Sequence, residues 1–236
     1  MRAVFYSLHQ LLGVSCMARF VATDLEGTLS TGEVWRGIAA YLKTYGHARD
    51  HQIFFATHFI PALLARVGLT DKQAFRNQWL VDQATLLRGN SSAELDTLAE
   101  WVVENELWSK RRVSVIAELQ KHHAAGCTII LASGAYEPIA NAFARRLEFE
   151  NVRVLSTTLE MVNGRATGNL VGEIAVDAVK AQRVRALIGA NQLSAAYGDT
   201  AADAPMLELS AEPVAVAPDP VLKKTAQEKG WRILTE

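Results

Sequence analysis

Asp24, Glu26, Ser133, Lys180, Asp199 and Asp203 are spaced along this sequence so that each falls at or just beyond a predicted strand or helix end. Together they have the chemistry that phosphoryl transfer demands. That reaction needs a nucleophile, a cation to offset charge on the phosphate oxygens, and an acid to protonate the departing oxygen. Asp24 and Asp199 make a hard oxygen site of the kind magnesium prefers, with water and phosphate completing the octahedron; zinc would want nitrogen or sulfur. A magnesium-bound Asp24 stays ionised and can attack phosphorus, while the metal and Lys180 offset the phosphate charge. Ser133 and the backbone N–H of Gly134, read as the start of a helix, suit phosphate oxygens.

These groups must be brought together by the elements that carry them. RFVATD at 19–24 is a short apolar run that ends abruptly in the polar loop DLEGTLSTGE, as a buried strand delivering side chains at its carboxyl end does. From Gly32 to about Ala125 the spacing is helical, with turn signals at Gly46, at 68–71 and at Gly89-Asn90, and it predicts four or five helices. Ser91 with Glu94 reads as a capping box for one of them. Strand signals return at 127–133, 152–156, 194–199 and 213–218, with helical stretches near 135–148, 174–189 and 201–210. Such alternation implies parallel strands with crossover helices, hence a doubly wound α/β sheet whose ligands sit at the carboxyl ends of the strands. Asn163-Gly164 is a hairpin signal within that half.

The expected organisation is a discontinuous α/β core, residues 17–30 plus 110–236, interrupted by an all-helical cap, residues 31–109. Residues 1–16 only faintly imitate a secretory leader, because His9 and Gln10 split the apolar run and Gly13 spoils a lipobox ahead of Cys16. Translation is expected to begin at Met17, leaving 1–16 as an extension that is untranslated or disordered.

Bulk properties narrow the partners. With 24 basic against 25 acidic side chains and a net charge of -1, there is no electrostatic footprint for nucleic acid or an anionic membrane, so a small molecule is the expected partner. Cys16 and Cys127 have neither paired nor metal-ligand spacing, which fits a reducing cytoplasm. No run approaches the roughly 18–20 apolar residues of a membrane span.

The motifs resemble those of the haloacid dehalogenase (HAD) superfamily, and within it subfamily IB, which has a helical cap between its first two motifs and includes phosphoserine phosphatases. DLEGTL at 24–29 looks like the first motif, LASG at 131–134 the second, Lys180 the third and YGDTAADAPML at 197–207 the fourth. The resemblance spans nearly everything from Arg19 onward. It implies a Rossmannoid core and a magnesium-dependent phosphomonoesterase working through an aspartyl-phosphate on Asp24. By the same resemblance Glu26 is the general acid and base, and its backbone carbonyl, Asp24 and Asp199 bind the metal with Asp203 in support. Ser133 and Lys180 would hold the phosphate, with Thr28 and Gly134 also on the substrate.

Glu26 departs from the usual second aspartate, although enolase-phosphatases of the superfamily carry a similar aspartate-x-glutamate. Dehalogenase members lack an acid there, so Glu26 favours hydrolysis. Glu33, nine residues after Asp24, stands where phosphoserine phosphatases place a glutamate that meets the substrate amine; the alternative is an ordinary acidic residue in a first helical turn. Arg76 is the candidate for binding a substrate carboxylate, with Arg66 and Arg88 as competitors, and Lys223 and Arg183 compete with Lys180. His47, His51 and His58 read as surface or packing residues, and Trp35, Trp79, Trp101 and Trp108 as cap packing. Phosphoserine is the first substrate expected, with phosphocholine, phosphoethanolamine and sugar phosphates open. The competing expectations are a catalytically weakened module binding phosphate ligands or partners, and phosphotransfer to an acceptor other than water. Oligomeric state is not legible.

Overall fold

The computed structural model describes residues 19–45, 52–58 and 72–235, including all their side chains except those of residues 72–74 and 76. The expectations for residues 1–16 and Met17, for His47 and His51, for the turn at 68–71 and for Arg66 lie outside the described residues.

The run FVAT forms β1 (Phe20–Thr23), buried on both faces as a central parallel strand must be. A helical passage follows, with α1 (Val34–Thr44), α2 (52–58), α3 (Lys72–Gln83), α4 (Ser92–Val102) and α5 (Val113–Ala124). The expected alternation then begins: β2 (Thr128–Tyr136), α6 (Glu137–Arg146), β3 (Arg153–Thr157), the hairpin β4 (Leu159–Val162) and β5 (Arg165–Leu170), and α7 (Asp177–Ile188). It closes with β6 (Leu193–Gly198), α8 (Ala204–Leu207), β7 (Ser210–Val216), α9 (Pro220–Lys229) and β8 (Arg232–Leu234).

Six strands form one sheet in the order β3-β2-β1-β6-β7-β8, every neighbouring pair parallel. The doubly wound α/β expectation is met. The chain builds outward from β1 through β2 to β3 and then returns to place β6 on the other side of β1, so the strand order reverses between β1 and β6. An open sheet of this kind binds ligands at such a switch point, and Thr23 faces Tyr197 there in register, one residue before Asp24 and two before Asp199.

Period-two alternation divides the core. Val21, Ile129, Leu131 and Tyr197 face one way and pack with Ile38 and Leu42 of α1, Leu95, Leu98 and Val102 of α4, Leu119 of α5 and Phe143 of α6. Ala22, Ile130, Ala132 and Ala196 face the other way and meet Val184 and Ile188 of α7, with Leu222 of α9. Helices α1 and α4 thus share one apolar core with the sheet.

Several boundaries differ from the sequence reading. β2 runs on through Ser133 and Gly134 to Tyr136, because pairing resumes at Tyr136 and Thr157 after an irregularity and every residue from Ile129 on is buried. Gly134 is therefore in a strand, and α6 starts only at Glu137, with Pro138 in its first turn where its missing N–H costs nothing. The helix expected over 201–210 is confined to one 3-10 turn and α8, since pairing of Leu193 with Ser210 draws the chain into β7. β8 was not expected; it is a three-residue edge strand paired with Val214–Val216.

Two local readings hold. Ser91 Oγ accepts from Glu94 N while Glu94 Oε2 accepts from Ser91 N at 2.8 Å, a complete capping box. Asn163 and Gly164, with φ +50 and +75, turn the β4–β5 hairpin in the manner of a tight primed turn. That hairpin is tied to the segment before α4, because Gly89 N donates to Ala166 O and Ala166 N to Asn90 O, both at 2.8 Å.

Candidate active site

Lys180, on the second turn of α7, is the centre of the site. Its Nζ donates to Asp24 Oδ1 and to Asp203 Oδ1, each at 2.6 Å, and all three side chains are buried. Asp24 is held at the end of β1 by its own N–H, which donates to Tyr197 O of β6 at 3.0 Å. Asp203 is fixed from its other oxygen: Oδ2 accepts from Asp199 N at 3.3 Å and from Thr200 N and Oγ1, both at 3.1 Å. Asp199 Oδ1 accepts from Thr28 Oγ1 at 3.0 Å. One carboxylate oxygen from each of Asp24, Asp199 and Asp203 lies within 4.8 Å of the others.

Three carboxylates so close, with one ammonium among them, are electrostatically crowded. Burial raises the Asp24 carboxyl above its ordinary range although Lys180 pulls it down. Asp199 is raised by burial and then by the charges of Asp24 and Asp203. For Lys180 burial acts downward, but Asp203 and Asp24 overcome it and raise its pKa. The donors are all hard oxygens and carry an excess of negative charge, so the set fits a divalent cation bound through oxygen. Asp24, Asp199 and Asp203 are the residues that could hold it.

A cavity of about 90 Å³ opens on this cluster, lined by Asp24, Glu26, Ser133, Gly134, Lys180 and Asp199, with Asn77 and Leu80 of α3 over it. Residues 21–208 match the model of the haloacid dehalogenase-like hydrolases. The chain belongs to that family.

Like other haloacid dehalogenase-like hydrolases, it has solved and curated relatives of recognisable kind. A Mycobacterium tuberculosis protein named phosphoserine phosphatase SerB1 is 33% identical over 222 residues, covering 89% of this chain and 68% of that one. A Bordetella pertussis Tohama I structure of unknown function superposes with a TM-score of 0.73 at 22% identity, covering 92% and 98% of the two chains. A phosphoserine phosphatase solved as a phospho-aspartyl intermediate analogue gives a TM-score of 0.59 at 17% identity, with 93% of each chain covered. These two structures show the shared fold. The sequence expectation of a hydrolase of this superfamily is met.

Of the sequence candidates in this haloacid dehalogenase-like hydrolase, Asp24, Glu26, Ser133, Gly134, Lys180, Asp199 and Asp203 meet in one cavity. Lys180 reaches Asp24 and Asp203, whereas Arg183 is turned to the carbonyls of Ser156 and Glu173, both at 2.6 Å. Ser133 Oγ accepts from Ala135 N at 3.2 Å, which leaves its hydroxyl proton for another acceptor. Gly134 reaches the cavity from a strand rather than from a helix start. Thr28 is fully buried and spends its hydroxyl on Asp199, so its place is behind the carboxylate and not on a substrate. Glu33 stands at the N-cap position of α1 with no side-chain cap bond and pairs with Arg36, while its N–H donates to Glu106. Arg76 lies on α3, and its side chain is outside the described residues.

Glu26 has an arrangement the sequence did not announce. Its Oε1 accepts from the N–H of Val34, the first residue of α1, at 2.6 Å. Around it, the outgoing segment is stitched to the returning one: Thr31 N donates to Lys110 O at 3.0 Å, Arg112 N to Leu29 O at 2.8 Å, and Arg112 Nε to Gly27 O at 3.1 Å. Asn77, Leu80 and Arg112 were not singled out from sequence, and no motif marks them.

Gly27 shows how tightly the loop is built. Its φ is +86, and a Cβ there would lie 2.0 Å from Asp199 Oδ2. Gly27→Ala is therefore expected to displace Asp199 and cut turnover by about 100-fold, the scale of a misplacement near 1 Å in a catalytic array. Turnover within a few-fold of wild type in a steady-state assay would show that the loop yields instead.

Proposed function

We propose that this haloacid dehalogenase-like hydrolase is a phosphatase that cleaves phosphomonoesters of small metabolites through a phosphorylated Asp24, phosphoserine being the first ester to try. The observation that carries the reading is the Asp24–Lys180–Asp203 bridge opening on the Ser133-lined cavity. The names of its relatives support the phosphate chemistry. Residues 31–109 would serve as the cap over the core formed by 17–30 and 110–236, with α3 supplying its contact with substrate. The free, buried Cys127 accords with a reducing, cytoplasmic setting.

In the first step an Asp24 carboxylate oxygen attacks phosphorus and the ester P–O bond breaks. Glu26 gives its proton to the departing alkoxide. Lys180, donating to Asp24 Oδ1, keeps the nucleophile oriented and offsets charge on the phosphoryl oxygens, while the Ser133 hydroxyl donates to one of them. In the second step Glu26 takes a proton from water, which attacks the same phosphorus, and the P–O bond to Asp24 breaks to release inorganic phosphate. Magnesium, held by Asp24, Asp199 and the Glu26 carbonyl with Asp203 in support, would add charge neutralisation at the phosphate.

The metal assignment has a pH signature. A carboxyl raised by folding binds protons more readily in the native state than in the unfolded chain, so Asp24 and Asp199 cost stability as pH rises above about 3.9. A divalent cation takes only their ionised forms. The increase in melting temperature on adding magnesium is therefore expected to grow between roughly pH 5 and pH 8. A flat or declining profile would remove Asp24 and Asp199 as the ligands.

Phosphate release from a panel of monoesters, with magnesium and with chelator, tests the function itself. Metal-dependent release is the expected result, unchanged by added alcohols. Transfer to an alcohol would make the enzyme a phosphotransferase. No release from any ester, despite phosphate binding, would favour a binding module, with the Val34 tether on Glu26 as the point of failure.

A further inference from the structure

Two carboxylates end on consecutive amides at the start of α1. Val34 N donates to Glu26 Oε1 at 2.6 Å, and Glu33 N donates to Glu106 Oε1 at 3.2 Å. Glu26 comes from the loop after β1, whereas Glu106 comes from a single π turn, Val103–Leu107, on the segment that returns to the core. Such turns are rare and are found frequently at functional sites. The frame around the two amides has little slack. Ser30 Oγ donates to Leu107 O at 2.7 Å and accepts from Gly32 N at 3.0 Å. A Cβ on Gly32 would stand 2.2 Å from Glu106 O, so the outgoing chain passes directly over the π turn. Lys110 Nζ holds the same Oε1 of Glu106 at 2.6 Å. Val34 is buried in the core with Ile38 and Leu42, which ties its amide to the interior.

We infer, building on the phosphatase reading above with Glu26 as its acid, that Val34 and Glu106 are positioning residues of the reaction. Glu106 fixes the first turn of α1 through the Glu33 amide, and the Val34 amide then aims the Glu26 carboxyl at the departing oxygen. A general acid must stand within hydrogen-bond reach of the atom it protonates, directly or through one water. Glutamate is among the side chains with the most rotamer freedom to lose, and a donor fixed in the core confines it before the substrate arrives. Neither Val34 nor Glu106 touches the substrate in this arrangement; both act through Glu26.

Steady-state kcat/KM of the full chain with magnesium, for p-nitrophenyl phosphate and for the alkyl ester released fastest in the panel above, tests this. Nitrophenolate departs without a proton and an alkoxide does not, so the alkyl-to-aryl ratio reads proton delivery, whereas a merely structural defect lowers both rates alike. Glu26→Gln removes the acid and is expected to lower the ratio about 100-fold or more. Val34→Pro removes the amide donor at the first helical position, where proline is tolerated, after a residue that is already extended. It is expected to lower the ratio about tenfold, and Glu106→Ala about threefold, by loosening the aim of Glu26. Glu106→Gln keeps an acceptor oxygen for the Glu33 amide and should restore the wild-type ratio. The Glu106 pair carries the test if Val34→Pro does not fold. A wild-type ratio in every folded Val34 and Glu106 variant, beside a lowered one in Glu26→Gln, overturns the inference alone, and an effect confined to Val34→Pro overturns the part assigned to Glu106. An unchanged ratio in Glu26→Gln, or release from the aryl ester only, removes Glu26 as the acid and the inference with it. Release from neither ester overturns the phosphatase reading itself.

Discussion

Asp24→Asn is expected to lower phosphate release by about 10⁴-fold or more, the scale on which loss of a covalent nucleophile is felt. The amide retains an oxygen for Lys180 but has no charged oxygen to attack phosphorus. The same substitution should leave the metal-free protein as stable as wild type or more so. Burial, with the charge of Asp203, outweighs the pull of Lys180 and raises the Asp24 pKa, which means that its ionised form costs folding free energy above the ordinary aspartate range. Thermal melts in chelator near neutral pH, beside steady-state rates with magnesium, check both halves. A variant that is inactive because it is unfolded would show a clear fall in melting temperature, and retained turnover would remove Asp24 as the nucleophile.

Lys180→Met is expected to lose about 10³-fold in turnover and, unlike Asp24→Asn, to be severely destabilised. Its Nζ bridges Asp24 and Asp203 at 2.6 Å to each, and removing one member of a buried ionic group costs about 3–5 kcal/mol because the partner is left uncompensated. Here two buried carboxylates lose their cation, with Asp199 adjacent. The loss should be largest in chelator at alkaline pH and smaller with magnesium or at acid pH, where the carboxyls can be protonated. Adding Asp24→Asn to Lys180→Met should recover part of the stability, a coupling of the kind that double-mutant cycles resolve. Urea denaturation of the two single variants and the pair measures it; strictly additive effects would mean that the bridge contributes little.

The parts of this site that sequence revealed are those placed by strand ends. An apolar run that stops at Asp24, and another that stops before Asp199, mark two carboxylates that a parallel sheet must bring together, and the order of the motifs then identifies Ser133 and Lys180. The reading was weaker where a residue acts through a partner distant in the chain. Thr28 belongs behind Asp199, 171 positions away, and nothing in its local pattern separates that role from touching a substrate. Asn77 and Leu80 reach the cavity only because α3 lies across it, and the helical period of α3 does not say which side faces the sheet. The extension of β2 beyond Ser133 depended on pairing with β3, a tertiary fact that overrode the expected strand-to-helix switch at Gly134. Arg112 closing on Gly27 is of the same kind.

The apolar core shared by α1, α4 and one face of the sheet constrains how the enzyme can exchange substrate for product. Elements buried in one continuous interior belong to one cooperative unit and open only at close to the global unfolding cost. A swing of the whole helical passage would have to tear Ile38, Leu42, Leu98 and Val102 out of contact with the sheet side. Access to Asp24 is therefore expected to need local adjustment where α3 meets the cavity, at Leu80, which packs against that core only partly buried, rather than undocking of α1.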